Sequence, residues 1–317
     1  LTVQPVDSLV PDGPGNRQQV NVFSAGPTVL FNWTSSLHGQ AELRYVHSDA
    51  EVTDEFNSQR LAAAVRTIKE LSPTSRVSLN LQAQRVDFDD DIVARDYNRY
   101  DIYGRYVRTL ANFELGADLG YSRIDYRQGE SRSEPLLRAD AEWNLSPHSQ
   151  LIAAVSSQFS DTATDALTGI QSEATVPENV LTGDAVVNAS PYEVRSIDLG
   201  YRYTGTRLTF SVTPYAQKRD YVDSDTFDQK TRGARFDLQW LIRRSLTLGS
   251  YATWERLDYT QLNREDETSR VGASLEYQWA PRWSARLHAE RYKRDSTDVG
   301  QSVSQNLIYL SIAYSNR

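Results

Sequence analysis

Five short signatures place a cation two positions before an aspartate: Arg85-Val-Asp87, Arg123-Ile-Asp125, Lys218-Arg-Asp220, Arg256-Leu-Asp258 and Lys293-Arg-Asp295. Guanidinium and ammonium groups give charge-assisted hydrogen bonds to phosphate oxygens. Arg85, Arg123, Lys218, Arg256 and Lys293 are therefore candidates for contact with anionic lipid headgroups, the phosphates of lipopolysaccharide in particular. The bland reading is a solvated rim of cross-strand ion pairs, each worth ~0.2–1 kcal/mol, and for any individual residue that is the expectation.

A larger polar set falls on alternate positions of stretches whose other positions are apolar. It comprises Glu42, Arg44, Arg60, Arg66, Arg99, Asp101, Arg105, Glu114, Asp118 and Arg138 in the first half of the chain. Asp140, Glu142, Asp198, Arg202, Arg235, Asp237, Glu276, Arg286, His288 and Glu290 continue it, with Tyr103, Tyr215, Tyr251, Tyr292 and Tyr309 interleaved. Carboxylates accept from hydroxyls and tyrosine rings stack on sugar faces, so such a wall can guide a polar polymer. Both signs are mixed, so no simple anion or cation selector is visible. A hydrated wall whose charges neutralise one another is expected of almost any sixteen-stranded barrel, and that alternative stays open.

Catalysis finds little support. Of the four histidines, His38 and His148 fall at turns and His47 at a rim, leaving His288 between Arg286 and Glu290. No nucleophile with an adjacent base stands out, and the phosphate-loop, dinucleotide and H-E-x-x-H motifs are missing. The chain has no cysteine, hence neither a disulfide framework nor a thiolate metal site. The expectation is a protein that is not an enzyme and takes no cofactor or metal.

The elements that position these residues follow from a repeat. Asp7, Asp49, Asp87, Asp125, Asp161, Asp220, Asp258 and Asp295 lie 36–42 residues apart, save one gap of 59. Each unit reads as a β-hairpin: short turn, rising strand, Asp, loop, falling strand. In one rising strand Val77, Leu79, Leu81 and Ala83 alternate with Ser78, Asn80, Gln82 and Gln84, and Arg85 and Asp87 arrive on the apolar parity. Period 2 marks a strand with two chemically different faces. Phe113 to Asp125, Leu208 to Asp220, Leu246 to Asp258 and Trp283 to Asp295 repeat the plan; Ala41 to Asp49 and Leu151 to Asp161 are weaker copies. The parity puts the Asp on the apolar, outward face in all seven.

An apolar band of about 8 to 10 residues matches a tilted strand crossing a bilayer, with ions taking over where the strand leaves hydrocarbon. Falling strands are predicted over Thr28–Trp33, Gln59–Leu71, Tyr97–Arg108, Leu136–Leu145, Ser196–Tyr203, Gly233–Ile242, Val271–Trp279 and Asn306–Tyr314. Trp33, Trp143, Trp240, Trp279 and Trp283 flank the predicted short turns, as an interfacial aromatic girdle would. The least patterned element is the first rising strand, Leu1 to about Val10; counting it gives about sixteen strands, an even number. The long gap falls in Thr162–Pro191, a loop expected either to cover the mouth or to fold inward as a constriction.

Composition agrees. A net charge of −8 argues against wholesale nucleic-acid binding, and no apolar run reaches the length of a transmembrane helix. The mean hydropathy of −0.57 does not exclude a membrane, because half of each barrel strand is polar. No methionine occurs, even at position 1, as expected once a signal peptide has been removed.

Strands ending as Arg123-Ile-Asp-Tyr126, Arg219-Asp-Tyr221 and Arg256-Leu-Asp-Tyr259, and the run Arg270-Val-Gly-Ala-Ser-Leu-Glu-Tyr277 before Trp279-Ala-Pro-Arg-Trp-Ser284, carry a resemblance. They are similar to outer-membrane β-barrel porins associated with exopolysaccharide synthesis and export systems. The resemblance implies assistance to a polysaccharide crossing the outer membrane, with the polymer as cargo and a periplasmic export protein as partner; it implies no catalytic residue. The expected fold is all-β, a single domain over residues 1–317: an antiparallel up-and-down transmembrane barrel with short periplasmic turns and longer extracellular loops. Its expected place is the bacterial outer membrane, among lipid and lipopolysaccharide. The other functions compatible with the pattern are a general diffusion porin for small polar solutes and a non-conducting adhesion or scaffold barrel.

Overall fold

The computed structural model describes residues 2–5, 17–52, 57–90, 95–127, 129–161, 190–222 and 225–314. Asp7 and residues 162–189 of the long interval lie outside the described residues. The strands are β1 (Thr2–Pro5), β2 (Arg17–Ala25), β3 (Thr28–Thr34), β4 (Leu37–Ala50), β5 (Ser58–Ser72) and β6 (Ser75–Phe88). They continue as β7 (Tyr97–Thr109), β8 (Phe113–Tyr126), β9 (Arg132–Ser146), β10 (Ser149–Ser160), β11 (Tyr192–Thr204) and β12 (Leu208–Tyr221). The last are β13 (Gln229–Arg243), β14 (Leu246–Tyr259), β15 (Arg264–Ala280), β16 (Trp283–Ser296) and β17 (Val303–Tyr314). All belong to one antiparallel up-and-down sheet.

The first expected hairpin is redrawn. The falling strand begins at Arg17 rather than Thr28, and among the described residues Thr2–Pro5 of the expected rising strand pairs with it. β2 and β3 keep one register on β4, Ala25 opposite Tyr45 and Thr28 opposite Glu42, so they are one strand interrupted at Gly26-Pro27. Proline has no N–H to give the ladder, which is the reason for the interruption. Counted as one, β2 and β3 bring the total among the described residues to sixteen strands.

Connections alternate in length. Those after β3, β5, β7, β9, β11, β13 and β15 hold two or three residues, whereas the return connections hold four to eight, save 11 after β1 and 31 after β10. The ladders confirm the alternation of faces: Leu79 lies opposite Thr67 and Gly104, and Leu248 opposite Trp240 and Leu275. The apolar face is open, with Leu79 52%, Ile102 52% and Leu119 72% exposed.

The described residues cluster into two compact units, 1–140 with 155–195 and 219–228, and 141–154 with 196–218 and 229–317. In the first, a buried cluster of Val86, Phe88, Tyr97, Ile124 and Phe159 sits on the polar face at the long-loop end. Here one expected parity fails. Phe159 and Asp161 do not stay on the apolar face of β10; both are 2% exposed. Phe159 joins the buried cluster, and the Asp161 carboxylate meets the Arg60 guanidinium at 2.7 Å. The physical reason is compensation: a buried cation needs a counter-charge more than a rim needs one further carboxylate.

Candidate functional site

The polar face is laced by ion pairs along and between strands. In the first unit Glu42 and Arg44 pair along β4, and Arg99 reaches Asp101 at 3.0 Å, with the Ser122 hydroxyl donating to the same carboxylate. Arg105 bridges Asp118 at 3.0 Å and Asp140 at 3.2 Å, while Arg138 reaches Asp118 at 2.9 Å. Arg66 donates to Asn80 at 2.7 Å. Tyr103 accepts from Gln82 at 3.0 Å and lies 4.7 Å beneath the Arg138 guanidinium. Glu114 is exposed. Arg60, expected on this face, is there but is not accessible: it is sealed by Asp161, which also accepts from the Tyr97 hydroxyl at 3.2 Å.

The second unit carries a different texture. Glu142 accepts from Gln150 at 2.5 Å, and the Arg235 guanidinium lies 4.8 Å over the Tyr215 ring, whose hydroxyl donates to Glu255. Asp198 and Asp237 are half-buried near Arg235, and Arg202 is exposed. Further along, Tyr251, His288 and Tyr309 form a strip of rings. His288 stacks on Tyr251 at 6.1 Å with planes 17° apart and meets the Tyr309 ring tilted, at 4.8 Å and 33°. Polar groups flank it: Tyr251 donates to Glu290, Arg270 approaches Glu290 at 3.5 Å, and Arg286 bonds Glu276 at 2.5 Å. Arg270 also lies 5.2 Å over the Tyr292 ring.

Glycines flatten these rings. Tyr103 faces Gly120 and Tyr251 faces Gly272 across their ladders. A Cβ at Gly272 would stand 2.4 Å from the Tyr251 ring, so only glycine lets the ring lie along the wall. Sequence reasoning placed the tyrosines but missed their glycines; the tyrosine-opposite-glycine register was the available signal. It also missed a closed cluster at the loop end of β15 and β16, where Arg264, at 2.9 Å, and Arg294, at 2.7 Å, both hold Asp266.

At the rim the cations of the signatures mostly meet the aspartate two residues on along their own strand rather than a carboxylate across the ladder. Arg85 meets Asp87 at 2.8 Å, Arg123 meets Asp125 at 2.7 Å, and Lys293 pairs with Asp295. Arg256 is shared between Asp258 at 3.6 Å and Glu265. Lys218 and Asp220 flank Arg219, which is 5% exposed and lies 5.4 Å over Tyr192.

No protein-family profile matches the chain, and no curated protein matches it in sequence. Among solved structures the chain is similar to the copper transporter OprC, at 14% identity and a TM-score of 0.60, over 94% of this chain and 57% of that one. It is likewise similar to a mutant of the ferric enterobactin receptor PfeA from Pseudomonas aeruginosa, at 10% identity and a TM-score of 0.60, over 93% of this chain and 53% of that one. The ferric-catecholate import receptor Fiu from E. coli K12 aligns at 9% identity and a TM-score of 0.54, over 95% and 56%. The chain spans little more than half the length of these proteins. The fold of the chain is that of outer-membrane β-barrel proteins.

Proposed function

We propose that this protein is an outer-membrane conduit that assists a secreted polysaccharide across the membrane. The single observation that carries this reading is the strip Tyr251–His288–Tyr309 on the polar face. Tyr309 is 44% exposed, so it offers a ring face to the C–H side of a sugar, while Glu276, Arg286 and Arg270 stand alongside to exchange hydrogen bonds with hydroxyls. Paired charges suit a neutral or weakly charged chain: none of these cations stands apart from a carboxylate to trap an anion. The rings lie flat, so a polymer can slide from one to the next without a deep well. OprC is a copper transporter and Fiu a ferric-catecholate import receptor, so chains of similar fold move substrates.

The test is deletion in the native host. Surface polysaccharide should disappear while its synthesis continues and polymer accumulates inside. Restoring the protein as Tyr309→Ala together with His288→Ala should recover a folded barrel and at most a small part of the export. Loss of small-solute uptake with normal export would overturn the conduit in favour of a diffusion porin, and a non-conducting barrel with normal export would favour a scaffold.

A further inference from the structure

The apolar face of the first unit is not uniform. One row of the ladder runs Ala63, Ala83, Tyr100, Arg123 across β5 to β8, and the row beneath runs Val65, Leu81, Ile102, Tyr121. Two adjacent alanines among larger neighbours leave an open depression of about 460 Å³, floored by Ala63 and Ala83 and walled by Tyr100 and Tyr121. The surface it presents is almost wholly apolar; Arg123 enters at the upper corner, and Gln82 and Asp101 also border it. One row higher, two strands away, lies Arg85, opposite Leu61. Same-face rows about 6.6–6.8 Å apart and strands about 4.7–4.9 Å apart put the two arginines roughly 12 Å from each other along the sheet, both above the depression.

Arg85 uses Nε and Nη2 on Asp87, and Arg123 uses Nε on Asp125 and Nη2 on Ser131. Both partner carboxylates lie two residues farther from the apolar rows. By contrast, Arg256 is spent on two carboxylates. Two cations above a slot bounded by aromatic rings therefore mark this place among the five rim signatures.

We propose that the depression seats one acyl chain of a phosphorylated glycolipid of the lipid A type, its phosphate held by Arg123 and Arg85. The glycolipid follows from the end of the sheet concerned: the rows lie toward the long connections, the extracellular end of an outer-membrane barrel, and lipid A populates that leaflet. The inference rests on placement in the outer membrane and is independent of the cargo.

The test uses the full chain purified in detergent, with lipid A or phosphatidylglycerol added and retained lipid counted by native mass spectrometry. One lipid A per chain should survive delipidation, at least about tenfold above phosphatidylglycerol. Ala83→Phe, which fills the slot on a face that needs no protein partner, and Arg123→Gln should each lower retention about tenfold. Ala252→Phe, the same bulk on the apolar face of β14, should leave it unchanged. Folding is checked by heat-modifiable mobility on gels, and polysaccharide export should persist in Ala83→Phe, which separates this proposal from the conduit. Undiminished lipid A retention by folded Ala83→Phe, or equal retention of phosphatidylglycerol, would overturn it.

Discussion

Arg60 and Asp161 are each 3% exposed in their side chains, so their pairing is a question of compensated charge rather than of surface attraction. Breaking a buried pair by removing one partner leaves the other charge desolvated and costs about 3–5 kcal/mol, whereas replacing both by apolar groups of similar volume is often neutral. Asp161→Asn is therefore expected to lower unfolding stability by about 3 kcal/mol or more. The double variant Arg60→Met with Asp161→Leu should regain most of the loss; equilibrium urea unfolding in detergent measures both. Asp266 makes a pH-dependent case beyond the apolar band. Burial alone would raise its carboxyl, but hydrogen bonds from Arg264, Ser296 and Arg294, with the Arg294 charge, outweigh burial and hold it below the usual carboxylate range. A depressed folded value contributes stability above the unfolded value of about 3.9 and loses it as pH falls through the folded one. Opening of the loop end of β15 and β16, read from amide hydrogen exchange corrected for intrinsic pH dependence, should thus become easier below about pH 4, and Asp266→Asn should remove that dependence while being weaker at neutral pH.

Among elements, the hairpin is the unit that alternation makes legible. β6, β8, β14 and β16 show period 2 so plainly that the face of each residue could be anticipated, because a one-residue slip would turn every apolar side chain to the other side. What alternation cannot reveal is a strand end whose side chains change allegiance. Phe159 and Asp161 keep the apolar parity in sequence, yet the buried Arg60, a hundred residues earlier in the chain, draws Asp161 away. The extension of β2 to Arg17 was hidden by Pro27, which reads as a strand boundary when only local chemistry is weighed. In the candidate site the charged and aromatic residues were legible from parity, but their pairing was not, since Arg105 joins carboxylates from two strands. The glycine positions give a test at this scale. The three atoms nearest a Cβ at Gly272 all belong to the Tyr251 side chain, so Gly272→Ala should cost about 1–3 kcal/mol and be relieved by Tyr251→Ser. Gly120→Ala meets the Ile102 carbonyl oxygen at 2.0 Å, which no ring movement clears, so Tyr103→Ser should not rescue it. Unfolding midpoints of the four variants decide between these outcomes.

For the molecule as a whole, the exposed apolar face sets the solvent it needs. Leu79, Leu119, Ile308, Leu310 and Ile312 are between 52% and 73% exposed, far beyond the scattered single residues that a water-facing surface tolerates. Burying a side chain of this size is worth about 1.5–3 kcal/mol, so a face built from dozens of them is stable only against hydrocarbon. The chain contains no cysteine, which makes each introduced thiol a unique reporter. In proteoliposomes, Leu79→Cys, Leu115→Cys and Leu248→Cys should resist a membrane-impermeant maleimide, and a fluorophore attached there before reconstitution should be quenched by nitroxide on lipid tails. Glu114→Cys and Ser274→Cys, on the opposite face, should label readily and escape quenching. The contrast must follow parity rather than depth: Leu79 and its neighbour Ser78 lie within one residue of each other along β6, so a gradient of depth cannot separate them, while a two-faced strand must. If Leu79→Cys and Ser78→Cys label alike, the apolar face is not in lipid and the membrane-spanning reading fails, whatever the polar face transports.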